Sequence, residues 1–107
     1  MSLDVSLTAI RPTEVYTDNA THNLTKMAKE AGLYMYLWRP DEIAITQAHQ
    51  LIEPLKIGLK ELVNNPEKYE AFNPENGWGS YRGLVNFVKN YLEAYIENPD
   101  AIVSVCR

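Results

Sequence analysis

A single cysteine, Cys106, leaves no second thiol for an internal disulfide and no thiolate cluster for a structural zinc site. Histidine is nearly as scarce. His22 and His49 are the two in the chain, and neither has a second ligand type at a spacing typical of zinc or iron. Ten Lys and Arg stand against fourteen Asp and Glu, interspersed, for a net charge of −4, so the footprint of a phosphate-backbone or anionic-membrane binder is missing. No apolar run approaches the roughly 18 residues that span a bilayer, and the opening MSLDVSLTAIRP has no basic segment ahead of an apolar stretch. These absences point to a cytoplasmic protein in a reducing compartment, with no metal, no cofactor, no nucleic-acid partner and no membrane span. The five glycines and six prolines are dispersed as turns rather than gathered into linkers, and no internal repeat recurs.

What remains is the composition of a soluble globular chain. With 46% hydrophobic and 22% charged residues, positions 1–107 read as one domain. A chain of this size buries roughly 65% of its unfolded surface and folds without staples.

Leu3, Val5, Leu7 and Ala9 alternate with Asp4, Ser6 and Thr8, the two-residue period of a strand with one face buried, which predicts a strand from Leu3 to Ile10. Arg11-Pro12-Thr13 supplies a turn, and Glu14 to Thr17 returns as a short second strand. Asp18-Asn19 then offers a cap for a helix over Ala20 to Ala31 that stops at Gly32. The aromatic run Leu33 to Trp38 is too short and continuous for periodicity to decide, and reads as a buried helical turn or bend. Arg39-Pro40-Asp41-Glu42 breaks the chain, with Asp41 and Glu42 in a solvated turn. Thr46 caps an apolar stripe through Ala48, Leu51, Ile52, Leu55, Leu59, Leu62 and Val63, with Pro54 marking either a kink or the first position of a second helix. Asn65-Pro66 opens a short helix anchored by Tyr69 and Phe72.

The clearest periodicity lies in Ser80 to Glu97. There Leu84, Phe87, Val88, Tyr91, Leu92 and Tyr95 share one helical face, while Asn86, Lys89, Asn90, Glu93 and Glu97 share the other, with Ser80 as the cap and Asn98-Pro99 as the stop. Ala101 to Cys106 is a second strand-forming segment whose natural partner is the N-terminal strand. The fold class expected is α+β, mostly helical, with a small sheet pairing the N-terminal and C-terminal strands.

The chemistry-bearing residues are few. His49 and Glu53, four apart, suit a surface hydrogen bond, and His22 suits a pinning role at a helix start while ranking first among titrating groups. Cys106 reads as a packed small hydrophobe. In Gly77-Trp78-Gly79-Ser80-Tyr81-Arg82-Gly83, glycines open a helix and expose amides that suit an anion, with Arg82 adding charge. The spacing matches neither the dinucleotide fingerprint nor a P-loop, and the favoured reading is that the glycines let Trp78 dock under the helix as an anchor. Trp38, Tyr34, Tyr36, Trp78 and Tyr81 are candidates for one aromatic cluster.

The stretches THNLTKMAKEAGLYMYLWRPDE, NPENGWGSY and NYLEAYIENPDAIVSV resemble a group of small proteins encoded in tailed phages and prophages, across nearly the whole chain. The resemblance implies a phage or prophage context and brings no reaction, cofactor or catalytic residue. Without a catalytic constellation, the expected function is a non-enzymatic binding or interaction protein of phage type. Its unknown protein partner or small ligand is contacted by residues among His22, Asn23, Trp38, Trp78, Tyr81 and Arg82. The alternative is a small enzyme or ligand-binding domain with a pocket near His22, Trp78 and Arg82. Nothing in the sequence fixes the oligomeric state.

Overall fold

The computed structural model describes residues 2–8, 14–74, 77 and 79–107. The turn expected at Arg11-Pro12-Thr13, the end of the first strand at Ala9-Ile10, and the Trp78 anchor lie outside the described residues. The class is α+β: three antiparallel strands in the order β2-β1-β3, with helices packed against one face.

β1 (Ser2–Thr8) is the central strand. Leu3, Val5 and Leu7 are buried and Ser2 and Asp4 exposed, as the alternation requires. β2 (Glu14–Thr21) pairs with it from Ser2↔Thr21 to Leu7↔Tyr16, where the register shifts so that Thr8 meets Glu14. β3 (Ile102–Cys106) pairs on the other side, from Asp4↔Cys106 to Thr8↔Ile102. The two strands at opposite ends of the sequence are therefore neighbours, as expected. The start of β3 is itself covered. Val103 N donates to Thr46 O (2.8 Å), Ala48 N to Ala101 O (2.9 Å) and His49 N to Pro99 O (2.9 Å), which leaves less of that sheet edge open.

β2 runs four residues past its expected end, and this corrects the expected helix start. Asp18 and Asn19 pair with Val5 and Asp4 instead of capping a helix, because the ladder to β1 satisfies their backbone more fully than a cap would. Thr21 is the cap: its Oγ1 accepts from Asn23 N (3.3 Å) at the head of a 3-10 turn, His22–Leu24, that leads into α1 (Thr25–Glu30). Gly32 (φ +76°) ends that helix in the left-handed region, and the chain reverses into α2 (Tyr34–Trp38), the helical turn allowed for by the aromatic run. A 3-10 turn, Pro40–Ile43, follows.

The cap expected at Thr46 falls one residue later. Gln47 and Gln50 form a reciprocal capping box, and Gln50 Oε1 accepts from both Thr46 N (2.9 Å) and Gln47 N (3.0 Å). A 3-10 turn over Ala48–Leu51 then runs into α3 (Ile52–Asn64). Pro54 is the third residue of α3. It sits within the first turn, where amides have no intrahelical acceptor, so the proline breaks no hydrogen bond there. α4 (Pro66–Glu70) opens on Pro66, as expected, and buries Tyr69.

α5 (Tyr81–Glu97) matches its periodicity: Leu84, Phe87, Val88, Tyr91, Leu92 and Tyr95 are buried, and Asn86, Lys89, Asn90, Glu93 and Glu97 are exposed. Ser80 Oγ accepts from Gly83 N (3.0 Å) as its cap. α3 packs along α5, and the buried faces of both join the inner side of the sheet in one contiguous core. The outer sheet face carries Asp4, Asn19, Ser104 and Cys106. Cys106 is exposed, not packed, because Val103 and Val105 hold the inward parity of β3. No helix among the described residues is long and apolar enough to cross a membrane.

Candidate functional site

The loop ahead of α5 brings together residues far apart in the chain. Gly79 (φ +101°) approaches the head of the first 3-10 turn so closely that a Cβ there would stand 2.7 Å from Thr21 Cγ2 and 3.1 Å from Leu24 Cδ2. Only glycine permits both that backbone angle and that approach. The contact seats the start of α5 beside His22 and Asn23. Asn73 then ties the loop: its Oδ1 accepts from Tyr81 N (2.7 Å), while the Tyr81 hydroxyl donates to Leu62 O (2.6 Å) at the end of α3.

Two hollows open around Asn73. One, of about 530 Å³, is lined by His22, Asn23, Lys26, Phe72, Asn73 and Pro74 among others. The second, about 240 Å³, is lined by Glu70, Asn73, Ser80, Tyr81, Arg82 and Val85. Four of the six candidate contacts, His22, Asn23, Tyr81 and Arg82, thus line adjoining hollows, with His22 in one and Arg82 in the other. Lys26 and Arg82 form no ion pair among the described residues, and each lines a hollow beside Asn73, with Glu70 lining the smaller one alongside Arg82.

Trp38 is elsewhere. It is 2% exposed, stacked on Tyr34 (centroids 5.9 Å apart) and edge-on to His22 (6.3 Å), so it supports the His22 ring from the core side and offers no surface for contact. His22 Nε2 and Trp38 Nε1 are both buried without a hydrogen-bond partner among the described residues. Of the described members of the expected aromatic cluster, Tyr34 packs with Trp38, while Tyr81 faces Leu62. A different cluster, Tyr16, Phe87, Tyr91 and Tyr95, fills the space between β2 and α5. Burial raises the hydroxyl pKa values of Tyr91 and Tyr95 well above the ordinary tyrosine value.

His49 meets Gln47 Oε1 (3.2 Å) rather than Glu53, which pairs with Lys56. Asp41 and Glu42 are exposed, as expected of that turn, yet they are not idle. Arg107 donates to both Asp41 oxygens (2.9 and 3.1 Å) and to the Trp38 carbonyl (3.2 Å), and Arg39 pairs with Glu42. The hydrogen bond from Arg107 holds the Asp41 carboxyl below its usual pKa. Among the described residues no three His, Cys, Asp or Glu side chains converge as a metal site would require.

Asn73 and Lys26 are not among the contact residues expected from the sequence, and Phe72, expected as a buried anchor, is half-buried and lines the larger hollow. Asn73-Pro74 carried a turn signal, and Lys26 lies one helical turn beyond His22, so both were visible as placements without a partner to place them against. No family model, no curated protein and no solved structure matches this chain.

Proposed function

We propose that the protein is a non-enzymatic interaction module, of phage or prophage type, whose contact surface is the pair of hollows around Asn73. One observation carries the reading: residues from the first 3-10 turn, α1, the 70–74 segment and the start of α5 converge there and present Lys26 and Arg82, neither in an ion pair among the described residues. On a chain of net charge −4, two cations flanking amide and apolar groups favour a protein partner that offers acidic and polar side chains. The net charge disfavours nucleic acid. The test is affinity capture from infected or lysogenic cells with wild-type protein and with Lys26→Glu/Arg82→Glu. Loss of the captured partner with unchanged melting supports the surface, and equal recovery by both proteins rejects it.

A second reading has its own observation. The larger hollow is of ligand size and holds a histidine, which suits a small-molecule site in a ligand-binding domain or small enzyme. It requires the His22 ring resonances to move on addition of a fractionated metabolite extract. A static His22 signal removes this reading and leaves the first standing.

A further inference from the structure

A third hollow, of about 370 Å³, shares no lining residue with the two around Asn73. Lys29, Gly32, Tyr34, Met35, Tyr36 and Ile43 line it, so it is walled by the last turn of α1, the reversal at Gly32, the outer side of α2 and the end of the Pro40–Ile43 turn. Tyr34, Met35 and Tyr36 are half-buried, and Ile43 remains 37% exposed.

Two parts of its wall are held by contacts outside the hollow. The Tyr34 ring is stacked on buried Trp38 at 14° between planes, and its hydroxyl accepts from Arg39 Nε (3.0 Å). Ile43 is held by the left-handed residue after it, Ala44 (φ +59°), and by Ile45 N donating to Pro40 O (3.0 Å). A preformed apolar wall loses little conformational freedom on binding.

Charge supplies the other half. Lys29 Nζ lies 4.6 Å from the centroid of the Tyr34 ring, directly at the hollow, and no carboxylate pairs with it among the described residues. The neighbouring acids are committed elsewhere: Glu30 to Lys68, Glu42 to Arg39 and Arg107, and Asp41 to Arg107. An aromatic face is a weaker partner for an ammonium than an anion is.

We infer that this hollow binds a small organic anion, with an aromatic or aliphatic body seated against Tyr34, Met35, Tyr36 and Ile43 and an acidic group taken by the Lys29 ammonium. The volume sits at the small end of ligand sites and suits a compact molecule rather than a strip of polypeptide. The body gains by leaving water, and the acid exchanges a hydrated for a charge-assisted contact.

The test uses indole-3-acetate and its neutral counterpart indole, titrated separately into the full chain and followed by amide chemical shifts. Indole-3-acetate should shift Gly32, Tyr34, Tyr36 and Ile43 saturably and bind about tenfold tighter than indole, the order expected for one charge-assisted contact. Lys29→Gln keeps an uncharged stem at an exposed position, and should bring indole-3-acetate down to the level of indole while leaving indole unchanged. Equal affinity for the two compounds, a preference that survives Lys29→Gln, absence of saturation by either, or shifts centred on His22 and Arg82 would each overturn the assignment.

Discussion

Gly58, in the middle of α3, and Leu33, in the reversal between α1 and α2, compete for one space: a Cβ at position 58 would stand 2.2 Å from Leu33 Cδ2 and 2.4 Å from its Cγ. Leu33 is fully buried and Gly58 is the glycine that lets it reach α3. Substitution therefore sets two effects against each other. Gly58→Ala gains roughly 1 kcal/mol of helix propensity, yet forces a packed leucine to move, at a typical cost of about 1–3 kcal/mol. The expected outcome is a net loss of stability, read as a lower denaturant midpoint. A gain would mean that Leu33 repacks freely.

Ser80→Ala removes the N-cap acceptor of α5 and leaves the Gly83 amide to water, while Asn73 Oδ1 still accepts from Tyr81 N. The loss should be about 1 kcal/mol, the usual worth of an N-cap. Ser80→Asn should restore most of it, which separates capping from packing.

The hydroxyls of Tyr91 and Tyr95 are buried and interact with each other, yet neither makes a hydrogen bond of good geometry among the described residues, and their rings lie 4.2 Å apart. Tyr95→Phe therefore removes a poorly satisfied polar atom and should be neutral, or stabilising by up to about 1 kcal/mol. A loss of that size instead would show that the hydroxyl is satisfied, for example by a buried water. Equilibrium unfolding of the single variant decides.

Tyrosine also sets the alkaline limit. The Tyr69 pKa is pushed up to about 12, first by burial and then by the hydrogen bond its hydroxyl donates to Glu61 Oε1 (2.9 Å). Tyr16, Tyr91 and Tyr95 are raised too, burial being the main cause in each. A folded value above the unfolded 10.0 means that the contribution of Tyr69 is complete below pH 10 and is lost as pH rises through about 12. Melting temperature should hold up to pH 10 and then fall, with tyrosinate absorbance appearing in step with unfolding. Stability flat across that window would contradict the protonated tyrosine core.

Much of this architecture is written in local pattern, and the places where it is not have physical reasons. The alternation of Leu3, Val5 and Leu7 and the spacing from Leu84 to Tyr95 report burial directly, because each element has one core face. Asp18-Asn19 misled because short polar side chains favour caps, whereas here a six-residue run of pairing with β1 outweighs the local preference. Gln47 was passed over as a cap because its partner is Gln50, a glutamine box in place of the more frequent serine or threonine. His22 and Arg82 were legible as residue types, but their nearness depends on Gly79 touching Thr21 and Leu24, a contact that no spacing encodes. The Lys29 hollow was hidden for a similar reason, since it exists only once Gly32 folds α1 back toward α2.

The measurement that bears most directly on the proposed contact surface is site-specific photocrosslinking in cells that express the protein, with benzoylphenylalanine placed in turn at Lys26, Arg82 and Lys60. All three positions are exposed, but Lys60 lies on α3 and lines none of the three hollows. The surface around Asn73 predicts one discrete crosslinked partner from both Lys26 and Arg82, and none from Lys60. Crosslinks from Lys60 alone, or from all three positions equally, would contradict it.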